Sequence, residues 1–205
     1  KESKYQELVT ESKKKANEIR SRIFRLQGGG ELPFGEAVKI ARIAEKSTGV
    51  RAAFILSILT QESAINGVIG KNLGRCFYND PRPNKSKTVM SDTQKPAFLA
   101  LMSDLGLHPD KTPLSCPIVS DGAYGGAMGP AQFMPTTWEA YKDRIGATVG
   151  HNPPSPFVNI DAFTATALYL SDGLSDCRAE FKTVFSQESC AAGKYYAGKN
   201  WRSYM

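Results

Sequence analysis

The chain has 205 residues, 41% of them hydrophobic and 22% charged, which suits one compact domain with a small appendage. Its longest apolar run, residues 50–60, contains Arg51 and is far shorter than the ~20 residues that cross a bilayer. The net charge is +6, and residues 1–26 contribute +4 of it through eight Lys or Arg and four Glu. Because no recognised binding motif accompanies this charge, we expect no nucleic-acid partner.

The N-terminal region predicts a helix that is separate from the main domain. The chain begins at Lys1 without a secretory signal, so we expect a processed or trimmed fragment. Apolar and small residues recur at alternating intervals of four and three, as in a coiled-coil or docking helix: Tyr5, Val9, Ser12, Ala16, Ile19, Ile23 and Leu26. A Gly linker follows, which divides the chain into residues 1–30 and a domain of residues 31–205. This helix either folds against the domain or ends a longer coiled coil that binds a protein partner.

The first part of the domain predicts two helices and a loop. A helical pattern begins at Gly35 and ends near Gly49, which is a typical C-terminal stop. Residues 50–62 form a second helix that is apolar on nearly every face and therefore belongs in a core. Residues 66–87 are rich in Gly, Asn, Pro and Lys and predict a loop.

Capping boxes, in which a Ser or Thr is followed three residues later by Gln or Glu, predict two further helix starts. Ser91 with Gln94 opens a helix that runs to Leu105. Thr136 with Glu139 opens another, which ends by Gly146.

Three helices are predicted in the last fifty residues. One begins at Asn159 and ends at Gly173, and two more cover residues 175–186 and 188–197. Strand patterns are scarce, so the chain is predicted to be mainly α-helical.

Four cysteines indicate disulfides more than a metal site. None forms a Cys-x-x-Cys pair, and the two histidines, His108 and His151, do not have zinc-ligand spacing. An even count favours two disulfides in an oxidising compartment over free buried thiols. Of the three pairings, we favour Cys76–Cys116 with Cys177–Cys190, because each pair brackets one continuous segment.

Glu62 is the strongest candidate for acid catalysis. Cleaving a glycosidic bond requires a carboxylic acid that still holds its proton near the working pH, and an apolar environment raises the pKa to meet this need. Glu62 follows a wall of Ile, Leu and Phe side chains. A Glu at the end of a helix is more often solvated or ion-paired, so this residue alone decides nothing.

A second motif, Gly125-Gly126-Ala127-Met128-Gly129-Pro130-Ala131-Gln132-Phe133-Met134-Pro135, adds a polar amide to a tight turn. Glycine lets the backbone approach a ligand closely. Gln132 can donate and accept hydrogen bonds, and Met134 offers a soft apolar contact. On physical grounds alone, a Gly-rich turn followed by core residues would explain the pattern equally well.

The two motifs together resemble those of lytic transglycosylases, the lysozyme-like enzymes that cut the glycan strands of peptidoglycan. Glu62-Ser63 matches the family's Glu-Ser pair, and residues 126–135 match its Gly-Ala-x-Gly-x-x-Gln-x-Met-Pro block. The Gln132-Phe133-Met134-Pro135 sequence and the long interval between the motifs are most similar to the membrane-bound murein transglycosylase B type. Later residues are similar to further family elements: Asn159-Ile160, Tyr169-Leu170 and Tyr195-Tyr196-Ala197-Gly198.

The resemblance implies a lysozyme-like fold of the goose-type and soluble-transglycosylase kind, and a chemistry with one carboxylate. Glu62 would be the sole general acid and later the base, without metal or cofactor. The C6 hydroxyl of the sugar would attack its own anomeric carbon and give a 1,6-anhydro-muramic product. The substrate would be the glycan strand, cleaved between MurNAc and GlcNAc outside the cytoplasm. The resemblance also implies a substrate-binding set: Ser63, Gln132, Phe133, Met134, Tyr169 and Tyr195.

Several departures from the family pattern keep other interpretations open. Asp121 stands near the position where related chains often have Ser, and it is either a second carboxylate for simple hydrolysis or a residue that caps a turn. Tyr196 replaces a usual Asn. The segment between Cys76 and Cys116 has no counterpart and is either a lid or a stapled insertion. A goose-type lysozyme that uses water and a non-catalytic wall-binding module are the alternative functions.

Overall fold

A computed structural model describes residue 4 and residues 32–64, 67–70, 76–80, 88–118 and 124–204. The predicted N-terminal helix, its Gly linker and the domain boundary at residue 30 lie almost wholly outside the described residues, as does Asp121. Within the described residues the fold is mainly α-helical, which confirms the predicted class. Its helices are α1 (Phe34–Thr48), α2 (Ala52–Ser63), α3 (Lys95–Leu105), α4 (Pro135–Val149), α5 (Asn159–Glu180) and α6 (Val184–Ala197).

The core is built around α2 and α5. Helix α2 buries most of its apolar side chains (Phe54, Ile55, Leu56, Ile58 and Leu59), and α5 is buried continuously from Asp161 to Ala167. Helix α5 packs against α1, α2, α4 and α6, while α3 packs against α4. A helix that is apolar on nearly all sides is stable only when it is enclosed. The position of α2 therefore follows directly from its sequence.

Helix α1 ends as the sequence predicts. Gly49 adopts the left-handed conformation (φ 75°), and its backbone N–H donates a hydrogen bond to the carbonyl oxygen of Glu45. Helix α2 ends differently, since Ala64 is extended and carries the chain out into the next loop. That loop contains a two-residue strand, β2 (Val68–Ile69), paired antiparallel with β1 (Leu32–Pro33). Strand β2 thus lies within residues 66–87, which the sequence predicted as a loop.

Both predicted capping boxes are wrong. Helix α3 begins at Lys95, and its N-cap residue Gln94 makes no side-chain capping bond. The Gln94 side-chain oxygen instead accepts hydrogen bonds from the backbone N–H and the hydroxyl of Thr136, at 3.0 and 3.1 Å. Thr136 therefore lies inside the first turn of α4, which begins at Pro135 after the N-cap residue Met134. Gln94 stabilises the start of a helix 42 residues away.

Two glycines that were predicted to end helices lie inside them. Helix α4 continues through Gly146 to Gly150, which is left-handed (φ 76°). Helix α5 continues through Gly173 to Glu180, so the predicted separate helix 175–186 is wrong, whereas the predicted helix 188–197 lies within α6. Gly173 lies against Ala191 of α6, where an added Cβ would be 3.5 Å from the Ala191 Cβ. Its small size thus serves close packing between helices.

Two disulfides join Cys76 to Cys116 and Cys177 to Cys190. This is the pairing favoured by the sequence. The second disulfide links α5 to α6, and both of its cysteines are buried. The first joins two non-helical segments beside the Gly-rich turn.

We predict that the double variant Cys177→Ala/Cys190→Ala lowers the free energy of unfolding by about 3 kcal/mol, because the bridge closes a short loop in the unfolded chain. The two cysteines are 13 residues apart. Denaturant unfolding of the oxidised wild type and of the variant measures the difference. Wild type unfolded in the presence of a reductant, which breaks both disulfides, is the control, and it should lose at least as much stability as the variant. A change well below about 1 kcal/mol would contradict the prediction.

Candidate active site

Glu62 occupies the last turn of α2, where it emerges from the apolar core. Its side chain is half-buried, and this burial raises the pKa of the carboxyl group above its ordinary value of 4.5. Desolvation disfavours the charged form of an acid. Glu62 therefore keeps its proton to a higher pH than a solvated Glu, as a general acid requires.

Ser63 connects the end of α2 to the Gly-rich turn. Its hydroxyl donates to the carbonyl oxygen of Pro130 at 2.6 Å, lies 3.3 Å from that of Leu59, and accepts from the backbone N–H of Gly70 at 3.1 Å. The residue is fully buried. Ser63, which the family resemblance placed in the substrate-binding set, thus holds three segments together from inside the protein.

The glycines of the turn allow close packing of backbone on backbone. Gly129 is left-handed (φ 62°), and a Cβ atom there would overlap the carbonyl oxygen of Pro156. A Cβ atom at Gly125 would overlap the carbonyl oxygen of Ser115. The sequence suggested that these glycines admit a ligand. The structure shows that the space beside these two glycines is filled by the protein's own chain.

Gln132 is held in an uncommon backbone conformation. Its φ is 53°, in the left-handed region that side chains other than Gly seldom adopt. Its side-chain amide donates to the carbonyl oxygen of Gly129 at 2.7 Å, and the backbone N–H of Met128 donates to the carbonyl oxygen of Phe133 at 2.9 Å. These bonds close a small hairpin around Gln132. Strained residues of this kind tend to occur at functional sites.

Tyr195 of α6 approaches the same turn from the other side. Its hydroxyl donates to the carbonyl oxygen of Ala131 at 2.9 Å. Burial raises the pKa of Tyr195, the negative charge of Glu62 raises it further, and a hydrogen bond with Thr166 opposes both. The phenol is therefore neutral at physiological pH and close enough to Glu62 to feel its charge.

Phe133 supports the site from the core. It is 4% exposed, and its ring meets the rings of Trp138, Tyr169 and Tyr195 edge to face, with centroids 5.8, 6.1 and 6.2 Å away. Tyr169 and Tyr195 also meet edge to face, at 5.2 Å. Such pairs stabilise one fixed arrangement of rings. Phe133 consequently orients the two tyrosines and is itself shielded from solvent.

The structure thus groups most of the residues expected at the site. Gln132 lies within the Gly-rich turn, and Glu62 and Tyr195 lie near it. The half-exposed Met134 ends the turn before α4. Tyr169 is half-buried behind Tyr195. Asp121, the candidate second carboxylate, lies outside the described residues.

Some contributors escaped the sequence analysis. Asp161, in the first turn of α5, is fully buried, and its carboxylate accepts from the backbone N–H of Ser155 at 2.8 Å and contacts His151 Nε2 at 2.9 Å. It thereby fixes the loop that carries Pro156 beneath Gly129. The acidic residue two positions into a predicted helix was the available signal, because carboxylates favour helix N-termini.

Neither a metal centre nor a membrane span is evident in the described part of the chain. No group of three or more His, Cys, Asp or Glu side chains there is arranged to hold a metal ion. No helix among these residues combines the length and apolar character needed to cross a bilayer.

Comparisons with known proteins return one likeness. Neither a protein-family model nor a curated protein matches the sequence. Among solved structures, the chain is similar to the soluble lytic transglycosylase SltB1 from Pseudomonas aeruginosa, with 26% sequence identity and a TM-score of 0.46. The match covers 68% of this chain and 44% of SltB1. At that TM-score the likeness does not by itself establish a shared fold.

We predict that Gly129→Ala destabilises the protein by about 3–5 kcal/mol, because left-handed strain adds to a clash with the Pro156 backbone. Gly150→Ala is the matched control, since Gly150 is also left-handed but has open space around its Cβ position. It should cost only about 1–2 kcal/mol. Denaturant unfolding of both variants measures the difference, and equal losses would contradict the close approach at Gly129.

We predict that Glu62→Gln raises stability at neutral pH. A carboxyl group with a raised folded-state pKa contributes stability that is present below its unfolded value of 4.5 and is lost as the pH rises through the folded value. Glutamine does not titrate, so the variant should resemble wild type at pH 4 and exceed it at pH 7. Unfolding free energies at both pH values test this.

Glu180→Gln is the control for that measurement. A hydrogen bond from Arg202 lowers the pKa of Glu180, so stability from this group is present above the unfolded pKa and lost at lower pH. The control should therefore show no gain at pH 7. An equal gain in both variants would exclude burial of Glu62 as the cause.

Proposed function

We propose that this chain is a peptidoglycan lytic transglycosylase with a lysozyme-like fold, cleaving the β-1,4 bond between MurNAc and GlcNAc. The observation that carries the proposal is the placement of Glu62. It is a half-buried carboxyl group with a raised pKa. The next residue, Ser63, bonds the turn that contains Gln132, and the neutral phenol of Tyr195 lies close enough to Glu62 to feel its charge. The family motifs at residues 62–63 and 126–135 support the same assignment.

In the first step, protonated Glu62 donates its proton to the glycosidic oxygen. The bond from that oxygen to C1 of MurNAc breaks, and GlcNAc leaves as an alcohol. Positive charge develops at C1 of the MurNAc ring, as in other glycosidases. The ionised Glu62 formed at this moment lies beside it and stabilises that charge.

In the second step, the Glu62 carboxylate removes the proton from the C6 hydroxyl of MurNAc. The C6 oxygen attacks C1 and closes the 1,6-anhydro ring. Glu62 regains its proton, so the cycle consumes no water and needs only one carboxylate. This differs from glycosidases in which a second carboxylate activates water or forms a covalent intermediate.

The surrounding residues have separate roles in this proposal. Gln132 and Met134, with Tyr195, contact the saccharide, and Tyr169 completes the aromatic wall behind Tyr195. Ser63 and Phe133 are buried, so they hold the site in place and do not touch the sugar. The two disulfides support an extracytoplasmic location, where peptidoglycan is found.

Mass spectrometry of products from purified peptidoglycan tests the proposal. Wild type should release anhydro-muropeptides, which are lighter by one water than the products of hydrolysis. Glu62→Gln should lose roughly a thousandfold in rate, since general acid–base catalysis typically contributes 10²–10⁴. Glu139→Gln, at an exposed glutamate of α4, should retain activity.

Each other outcome contradicts a specific part of the proposal. Reducing ends instead of anhydro ends would make the enzyme a hydrolase and direct attention to Asp121. Equal product release by wild type and Glu62→Gln would remove Glu62 as the acid. Retention of glycan strands without any product from wild type would indicate a wall-binding module.

A further inference from the structure

The segment that ends at Cys116 is firmly anchored at its base. Besides the disulfide, the backbone N–H of Cys76 donates to the carbonyl oxygen of Leu114 at 3.1 Å, and the Leu114 N–H donates to that of Cys76 at 2.8 Å. Cys76 and Leu114 are both buried. The disulfide and the two backbone hydrogen bonds therefore hold residues 114–116 against Cys76.

Ser115 holds the Gly-rich turn with three hydrogen bonds. Its backbone N–H donates to the carbonyl oxygen of Ala127 at 2.9 Å, and its carbonyl oxygen accepts from the N–H of Gly126 at 2.9 Å. Its hydroxyl accepts from the N–H of Ala127 at 2.8 Å. Ser115 thus provides hydrogen-bond partners for three backbone groups of the turn. These are the Gly126 N–H, the Ala127 N–H and the Ala127 carbonyl oxygen.

Steric contacts reinforce the hydrogen bonds. A Cβ atom at Gly125 would overlap Ser115 and Cys116, and one at Gly126 would lie 2.8 Å from the Cβ of Met90. Met90 itself is 1% exposed. The turn is therefore packed at Gly125 and Gly126 against Ser115, Cys116 and Met90.

The contacts of Ser115 with residues 126–127 also restrain Gln132, which lies a few residues further along the same turn. Met128 directly follows Ala127 and pairs with Phe133 across the small hairpin that contains Gln132. On the other side, Ser63 fixes Pro130 and Tyr195 fixes Ala131. Residues 126–127 form the other end of the turn, and their backbone groups bond Ser115.

We propose that residues 114–116 form a clamp, with Ser115 as a positioning residue and the Cys76–Cys116 disulfide as its anchor. The clamp sets the Gly-rich turn against Glu62 and thereby places Gln132 and Met134 for the saccharide. This inference rests on the proposed function for its catalytic meaning. Its structural part, the restraint of residues 125–134, is independent of activity.

Hydrogen exchange measured by mass spectrometry tests the structural part. Ser115→Ala and the double variant Cys76→Ala/Cys116→Ala should each speed amide exchange in residues 125–134 at least about tenfold, because the Ala127 N–H loses its acceptor or the acceptor loses its anchor. Thr183→Ala is the matched control for Ser115→Ala. The Thr183 hydroxyl likewise accepts one backbone N–H, that of Ser186, but at the start of α6.

Kinetics on a soluble peptidoglycan tetrasaccharide test the catalytic part. Ser115→Ala should raise KM and lower kcat/KM by roughly tenfold, since slight misplacement of binding groups has effects of this size. The pH dependence assigned to Glu62 should stay unchanged, because the three hydrogen bonds of Ser115 go to Gly126 and Ala127. Cys177→Ala/Cys190→Ala is the control for the other disulfide and should leave KM as in wild type.

The results separate the two proposals. Faster exchange at residues 125–134 together with raised KM supports the clamp. Unchanged exchange in both clamp variants overturns it, as does equal loosening of the turn in the controls. If wild type releases no anhydro product while the exchange results hold, the proposed function fails and the clamp stands as a restraint on the turn. If the disulfide variant does not fold, Ser115→Ala still decides.

Discussion

The site depends on one buried hydroxyl. Ser63 donates to Pro130 at 2.6 Å and accepts from Gly70 at 3.1 Å, so this hydroxyl ties the end of α2 to the Gly-rich turn inside the protein. Buried polar groups that lose a partner cost about 1–3 kcal/mol each, so neither segment can move away cheaply. Glu62 precedes Ser63 in the chain, and its place beside the turn is therefore fixed by its neighbour.

That arrangement holds an acid in an environment that is unfavourable to its charge. The core around α2 and α5 offsets the cost, since each fully buried Leu, Ile or Phe side chain contributes about 1.5–3 kcal/mol. Burial of Glu62 therefore lowers the stability of the fold at pH values where the carboxyl is ionised, and packing elsewhere in the core offsets this cost. Such a trade is common at functional sites. Burial also raises the pKa of Tyr195, so a neutral phenol that donates a hydrogen bond lies near the half-buried Glu62.

Local patterns predicted the fold class and the helices that depend on them. Helix α2 follows from its apolar sequence, and Gly49 ends α1 because a left-handed residue favours glycine. The capping-box predictions were wrong because the Gln94 side chain bonds Thr136, 42 residues away. Sequence spacing carries no information about such contacts. Gly146 and Gly173 failed as helix ends for a similar reason, since tertiary packing overrides a weak local preference. The family motifs predict roles for Glu62 and Gln132, and they gave no indication of Asp161 or Ser115.

The glycines illustrate why the motif is more informative than its separate residues. Taken singly, Gly125 and Gly129 suggest room for a ligand, whereas each is filled by the protein's own backbone. Close approach from Ser115 on one side and Pro156 on the other restricts the conformation of the turn. Gln132, at φ 53°, can exist only because that conformation is imposed on it from several sides. Glycine here supplies rigidity through packing, and Gln132 gains its fixed position from the backbone segments that pack against these glycines.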